Sequence, residues 1–182
     1  MRLFVISIAL LFAAMVSAQE KPAAGESPLA HVRNSFVVMV NASYADTAIL
    51  FSPVGERAWA GKDWNPQFLY PRPERDVEGA VFTVQHGEHE SVWVNSIRDM
   101  ESRHFQYVYF IPDALVTVID VRFFPISVGA TKVEVMYTRT ALNVDANPHV
   151  RALGVSDAGN GTEWQKMIEK YLKDANSRTS TR

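Results

Sequence analysis

Between Gly79 and Leu142 apolar side chains recur at every second position through five runs, and each run ends in a polar, proline- or glycine-bearing turn. Period two is the signature of a strand with one face buried and one face wet. The runs cover 80–85, 91–97, 104–111, 115–124 and 131–142. In the second, Trp93 stands against Val92 and Val94; in the third, Phe105, Tyr107 and Tyr109 share a face. In the fourth, Leu115, Thr117, Ile119, Val121 and Phe123 form an uncharged face, with Asp120 and Arg122 on the other side, which reads as the solvated outside. In the fifth, Val133, Val135, Tyr137 and Arg139 alternate with Lys132, Glu134, Met136 and Thr138.

Two further strands precede these. Residues 35–43 are β-branched and aromatic around Phe36-Val37-Val38-Met39-Val40, and a short edge-like segment, 67–70, lies among Pro66, Pro71 and Pro73. Between them, 45–51 fits one or two helical turns ended by Pro53, and 55–65 is irregular, with Trp59 and Trp64. Near the C-terminus the period changes. Trp164, Met167, Ile168, Tyr171 and Leu172 fall at i, i+3, i+4, i+7 and i+8, the apolar stripe of an amphipathic helix predicted over 162–175. Thr162 and Gln165 stand where a capping box places them. The stretch 147–161 holds Pro148, Gly154, Gly159 and Gly161 and reads as a long loop with a helical turn near 156–158.

The ends carry a different signal. Arg2, an apolar run over 3–16 and small residues at Val16-Ser17-Ala18 have the layout of a signal peptide cleaved after Ala18, predicting export to the periplasm or beyond. The run is shorter than the ~20 residues of a spanning helix, so no stable membrane span is expected after cleavage. Residues 19–32 read as a tether, 33–176 as one domain and 177–182 as a polar, disordered tail. The 182-residue chain has no cysteine, so disulfides, thiolate metal sites and cysteine nucleophiles are excluded. A net charge of −2 argues against a nucleic-acid partner.

The order of strand, short helix, antiparallel strands and long helix predicts an α+β fold. Six to seven twisted strands curl, and the helix must cover the concave face. The faces predicted to point inward carry Phe82, Trp93, Phe105, Tyr107, Tyr109, Tyr137 and Arg139. Phenols and a guanidinium need hydrogen-bond partners when buried. Their convergence suggests an apolar pocket with a few polar handles, the character of a small-molecule site.

Four stretches carry a family resemblance: 51–59 (FSPVGERAW), 64–71 (WNPQFLYP), 78–82 (EGAVF) and 135–141 (VMYTRTA). They resemble the START-like superfamily, also called SRPBCC, and within it a bacterial branch described as polyketide cyclase/dehydrase-like. The resemblance implies a helix-grip fold, a curved antiparallel sheet of six to seven strands wrapped around a long C-terminal helix. Members bind lipids, hormones, pigments or polyketides, and a minority catalyse. The leader is a departure, since many relatives are cytoplasmic.

The expectation is therefore an exported protein holding a small hydrophobic molecule, with no cofactor. Trp59, Trp64, Phe82, Trp93, Tyr107, Tyr109, Tyr137, Arg139 and Trp164 are the candidate ligand-binding residues. Tyr137 and Arg139, with Tyr107, would orient a polar end of the ligand, and the loop 54–65 would close over it. Arg139 has an alternative at the strand end, reaching out to solvent. Arg57 either faces a ligand carboxylate or, the preferred reading, holds the loop with Glu56 through ion pairs. The tryptophans either line the pocket or plug one end of the barrel.

No catalytic residue is singled out: the chain has no Gly-x-Ser-x-Gly, no phosphate-cradling glycine loop and no HExxH. His86-Gly87-Glu88-His89-Glu90 reads as a solvated hairpin rather than a metal site, and His104 as a structural or surface histidine. The rival functions are a cyclase-, aromatase- or hydrolase-like enzyme in the same cavity, and an interaction module whose core is filled.

Overall fold

The computed structural model describes residues 28–86 and 89–179. Seven strands run in chain order: β1 (His31–Val40), β2 (Gln67–Tyr70), β3 (Val81–His86), β4 (His89–Asp99), β5 (His104–Ile111), β6 (Leu115–Ser127) and β7 (Ala130–Ala141). They form one sheet in the order β1-β7-β6-β5-β4-β3-β2, and every pairing is antiparallel. From β3 to β7 each strand pairs with the next in sequence, the outcome of short turns between alternating runs. The first strand returns to pair with the last, which makes β1 and β2 the two edges.

The predicted faces hold. In β7 the odd-numbered residues from Thr131 to Ala141 are buried, and in β6 Leu115, Thr117, Ile119, Val121 and Phe123 are buried, while Arg122 is exposed. Asp120 lies on the outer face and accepts from Gln106 Nε2 at 3.0 Å, with His104 Nε2 at 2.9 Å. β4 and β6 outrun their predicted ends, whereas β1 stops at Val40, three residues short of its predicted end. Pro125 falls inside β6 beside a register shift, at the outer end of the strand where a missing donor is tolerated. β1 begins at His31, within the segment read as tether, because Ala30 is buried and its amide donates to Asn147 Oδ1 at 2.6 Å.

Three α-helices complete the described residues: α1 (Tyr44–Leu50), α2 (Asn147–Asp157) and α3 (Asn160–Thr179). Ser43 caps α1, its hydroxyl accepting from the Asp46 amide at 3.2 Å. The helix α2 corrects the loop expected over 147–161. Pro148 sits in its first turn, where the missing amide is harmless. Gly154 is a contact point rather than a break: a Cβ there would stand 3.0 Å from Val32 Cγ2 and 3.1 Å from Asn34 Nδ2. Gly161 acts likewise, since a Cβ would lie 2.7 Å from the Val37 carbonyl oxygen. It lies within α3, which starts at Asn160 instead of being capped by Thr162. Both glycines let their helices lie close against β1.

The core divides accordingly. A larger cluster joins the inward faces of β1 and β3–β7 to α1 and to Ile168 of α3, and a smaller one, Ala30, Leu115, Ala141 and Val150, lies under α2. No helix among the described residues is long and apolar enough to cross a membrane. The predicted signal peptide, residues 1–18, lies outside the described residues, as do 19–27 of the tether, 180–182 of the tail, and Gly87 and Glu88 of the hairpin in which His86 pairs with His89.

Candidate functional site

The inward aromatic residues gather into two groups. On the α3 side, Trp164 meets Phe36 (ring centroids 5.2 Å apart), Phe51 (6.1 Å) and Trp59 (5.3 Å). On the β2–β4 side, Phe82 stacks on Phe68 and Trp93, Trp64 meets Trp93 edge-on at 5.3 Å, and Tyr109 stacks on Trp93 at 4.3 Å. Members of both groups line a cavity of about 260 Å3 with an open side. That is room for about nine waters at ~30 Å3 each, a volume suited to a molecule of one or two rings.

Seven of the nine candidate residues line this cavity: Trp59, Trp64, Phe82, Trp93, Tyr107, Tyr137 and Trp164. The tryptophans thus both pack and line. Trp59 Nε1 donates to the Leu50 carbonyl at 2.7 Å and Trp64 Nε1 to the Pro53 carbonyl at 2.9 Å, which pins the 54–65 loop at the cavity wall. Trp93 Nε1 donates to Ser91 Oγ at 2.8 Å, and the Tyr107 hydroxyl to the Phe51 carbonyl at 2.7 Å. These donors are spent on the fold.

Arg139 and Tyr109 do not line the cavity. Arg139 is inward, as its parity predicted, yet it neither lines the cavity nor reaches solvent. Its Nε and one terminal nitrogen pair with both oxygens of Asp157 at 2.7 and 2.8 Å, and the other terminal nitrogen bonds to Thr117 Oγ1 at 3.1 Å and to the Tyr109 hydroxyl. Burial opposes its charge, but Asp157 and the neighbouring phenols outweigh that, so the guanidinium holds its proton more tightly than usual. This pair ties the end of α2 to β7 and, through Tyr109, supports the Trp93 ring.

Glu56 is a cavity residue that the sequence pattern does not single out. The Arg57 guanidinium is engaged by Glu74, at 2.7 Å, and by the Pro66 carbonyl, so it holds the loop to the segment around β2. Glu56 takes no part in that and instead lines the cavity. Neighbours in sequence on a helical turn do not face each other, whereas residues three apart do. In the 3-10 turn Gly55–Ala58, Glu56 shares the side of buried Trp59, and that spacing was the available signal. No side chain among the described residues bonds to its carboxyl group. Burial, with the Asp76 charge adding to it, pushes the carboxyl up to about 8. Asp76 is itself held by Asn95 Nδ2 at 2.7 Å and Arg98 at 2.6 Å. The Tyr137 hydroxyl makes no hydrogen bond among the described residues, and burial raises its pKa. The chemistry left open to a guest is therefore two carboxyls, Glu56 and the exposed Asp63, one phenol and the faces of several rings.

Among solved structures, norcoclaurine synthase from Thalictrum flavum superimposes with a TM-score of 0.59 at 10% identity, over 85% of this chain and 99% of that one. A protein from Thermobifida fusca gives 0.52 at 20% identity, over 79% and 93%, and an uncharacterised protein from Rhizobium leguminosarum 0.52 at 13%, over 78% and 98%. The chain has the helix-grip fold. In this helix-grip architecture the cavity lies between the inward faces of the sheet and α3, bounded by the Trp59–Trp64 loop. No family model matches the chain, and no curated protein matches it by sequence. Among the described residues no three histidine, aspartate or glutamate side chains come together to hold a metal.

Proposed function

We propose that this is an exported binding protein of the START-like superfamily that holds a small hydrophobic molecule between the sheet and α3. The observation that carries the reading is the cavity: about 260 Å3 is left open within a core that otherwise brings its aromatic rings into contact. Interiors normally close such spaces, since an unfilled void costs packing energy. A filled-core interaction module would not leave it. The size favours a ligand of one or two rings over a long-chain lipid. Burial of its apolar surface would supply affinity at ~25 cal/mol per Å2. Export rests on the sequence of residues 1–18.

A specific observation favours a second reading, an enzyme in the same cavity: a carboxyl shifted to about 8 is poised for proton transfer near neutral pH. Native mass spectrometry of the protein purified from its own host tests both. A co-purified molecule that is recovered unchanged after incubation supports binding, and one that is converted supports catalysis. Protein that carries nothing, and whose indole fluorescence is unmoved by every aromatic hydrophobe added, refutes a binding function.

A further inference from the structure

The free polar groups of the cavity select its guest, an inference that rests on the binding reading above. We propose that the cavity takes a hydrophobic cation, a protonated amine carried on one or two rings, with its ammonium group against Glu56 and its rings against the surrounding indoles. The lining contains two carboxyl groups, Glu56 within it and Asp63, and among the described residues no lysine, arginine or histidine. The neighbouring cations are already committed: Arg57 to Glu74, Arg98 to Asp76 and Arg139 to Asp157. Among the described residues no cation of the lining is left to neutralise an ionised Glu56. A guest bearing a carboxylate would bring a negative charge that no cation of the lining answers into a desolvated space near Asp76, at a cost that low polarity magnifies. An ammonium group brings the missing partner. The ring faces of Trp59, Trp64, Trp93 and Trp164, rich in π density, favour a cation further.

The charged and titratable groups around Glu56 fit the same guest. Asp76 opposes ionisation of Glu56, and the Tyr107 and Tyr137 hydroxyls, which burial holds protonated, line the same cavity. In the empty cavity the carboxyl is protonated at neutral pH. When the amine enters, the carboxyl loses its proton to solvent and the ammonium keeps its own, so one proton is released per guest below pH 8. A neutral guest releases none.

Isothermal titration calorimetry of the native protein with phenylbutylamine, phenylbutanol and phenylbutanoate tests this. The amine is expected to bind at least about tenfold more tightly than the alcohol at pH 7, and the carboxylate most weakly. Amine affinity should rise about tenfold per pH unit from 6 towards 8 and then level off, with one proton released in paired buffers of different ionisation enthalpy. Glu56→Gln should abolish the preference for the amine and its proton release. Equal or tighter binding of the alcohol or carboxylate by the native protein overturns the assignment, as does an amine preference that survives Glu56→Gln in a variant that still binds the alcohol. Failure of all three probes overturns the assignment of a hydrophobic amine, while the binding reading itself stands or falls with the native mass spectrometry above.

Discussion

Two inward polar residues, buried Arg139 and half-buried Glu56, show how differently an ionisable group can be used. Arg139 is answered by Asp157, Thr117 and Tyr109. Removing one member of such a pair leaves the other uncompensated, so Arg139→Met should lower the unfolding free energy by about 3–5 kcal/mol in urea denaturation, and Asp157→Leu added to it should restore much of the loss. Glu56 has no such partner, and its folded-state pKa stands above the usual carboxylate value of 4.5. The unfolded chain gives up this proton near 4.5 while the folded chain keeps it to about 8, so the native state binds more protons across that window. Stability therefore falls as pH rises from 4.5 to 8, and the cost persists above it. Glu56→Gln should remove that slope and raise the melting temperature at pH 8.5, by a gain on the order of a few kcal/mol; thermal melts from pH 4 to 9 read it directly. Strand parity revealed that Arg139 points inward. It could not reveal the pairing, because Asp157 comes from a helix that the glycines disguised. Glu56 was hidden by its neighbour, since a Glu-Arg dipeptide on a loop invites the wrong pairing.

At the scale of elements, alternation was easy to read because each strand has one face on the core, and the faces of β4 to β7 follow from it residue by residue. The helices were harder. α2 is specified in part by its fit to β1, and that fit uses Gly154, a residue with low helical propensity. Gly154 and Gly161 look like punctuation in the sequence, but they mark where the helices meet β1. Gly161→Ala would place a methyl group 2.7 Å from the Val37 carbonyl oxygen, a backbone atom that cannot swing aside. It should cost about 1–3 kcal/mol, as overpacking does, although alanine is the better helix former. An alanine that stabilises the protein in urea would show that α3 does not press on β1. Trp164 anchors the same helix through Phe36, Phe51 and Trp59, and Trp164→Ala should destabilise by about 3 kcal/mol in the same measurement. It should also weaken any guest, because the indole is cavity wall.

For the molecule as a whole, the decisive quantity is the volume that seven strands enclose and one helix does not fill. Large aromatic residues at inward positions implied a container, since they and their polar ends could not all pack flush against a helix. That argument cannot give a volume. Much of the predicted wall packs on itself, as Phe82, Trp93 and Tyr109 do, and only the assembled sheet shows what remains open. If the remainder were an accident of packing, filling it should help. Val121, on the inward face of β6, lines the cavity and is buried. Val121→Phe extends a ring into the open space, where cavity filling commonly yields about 0.5–2 kcal/mol. The variant is expected to melt at or above the temperature of the native protein and to lose binding of every guest the native protein takes, in calorimetry and indole fluorescence alike. Loss of binding without loss of stability would mean that the space is maintained against the tendency of a core to close. A Val121→Phe protein that melts higher and still binds would place the guest elsewhere on the molecule.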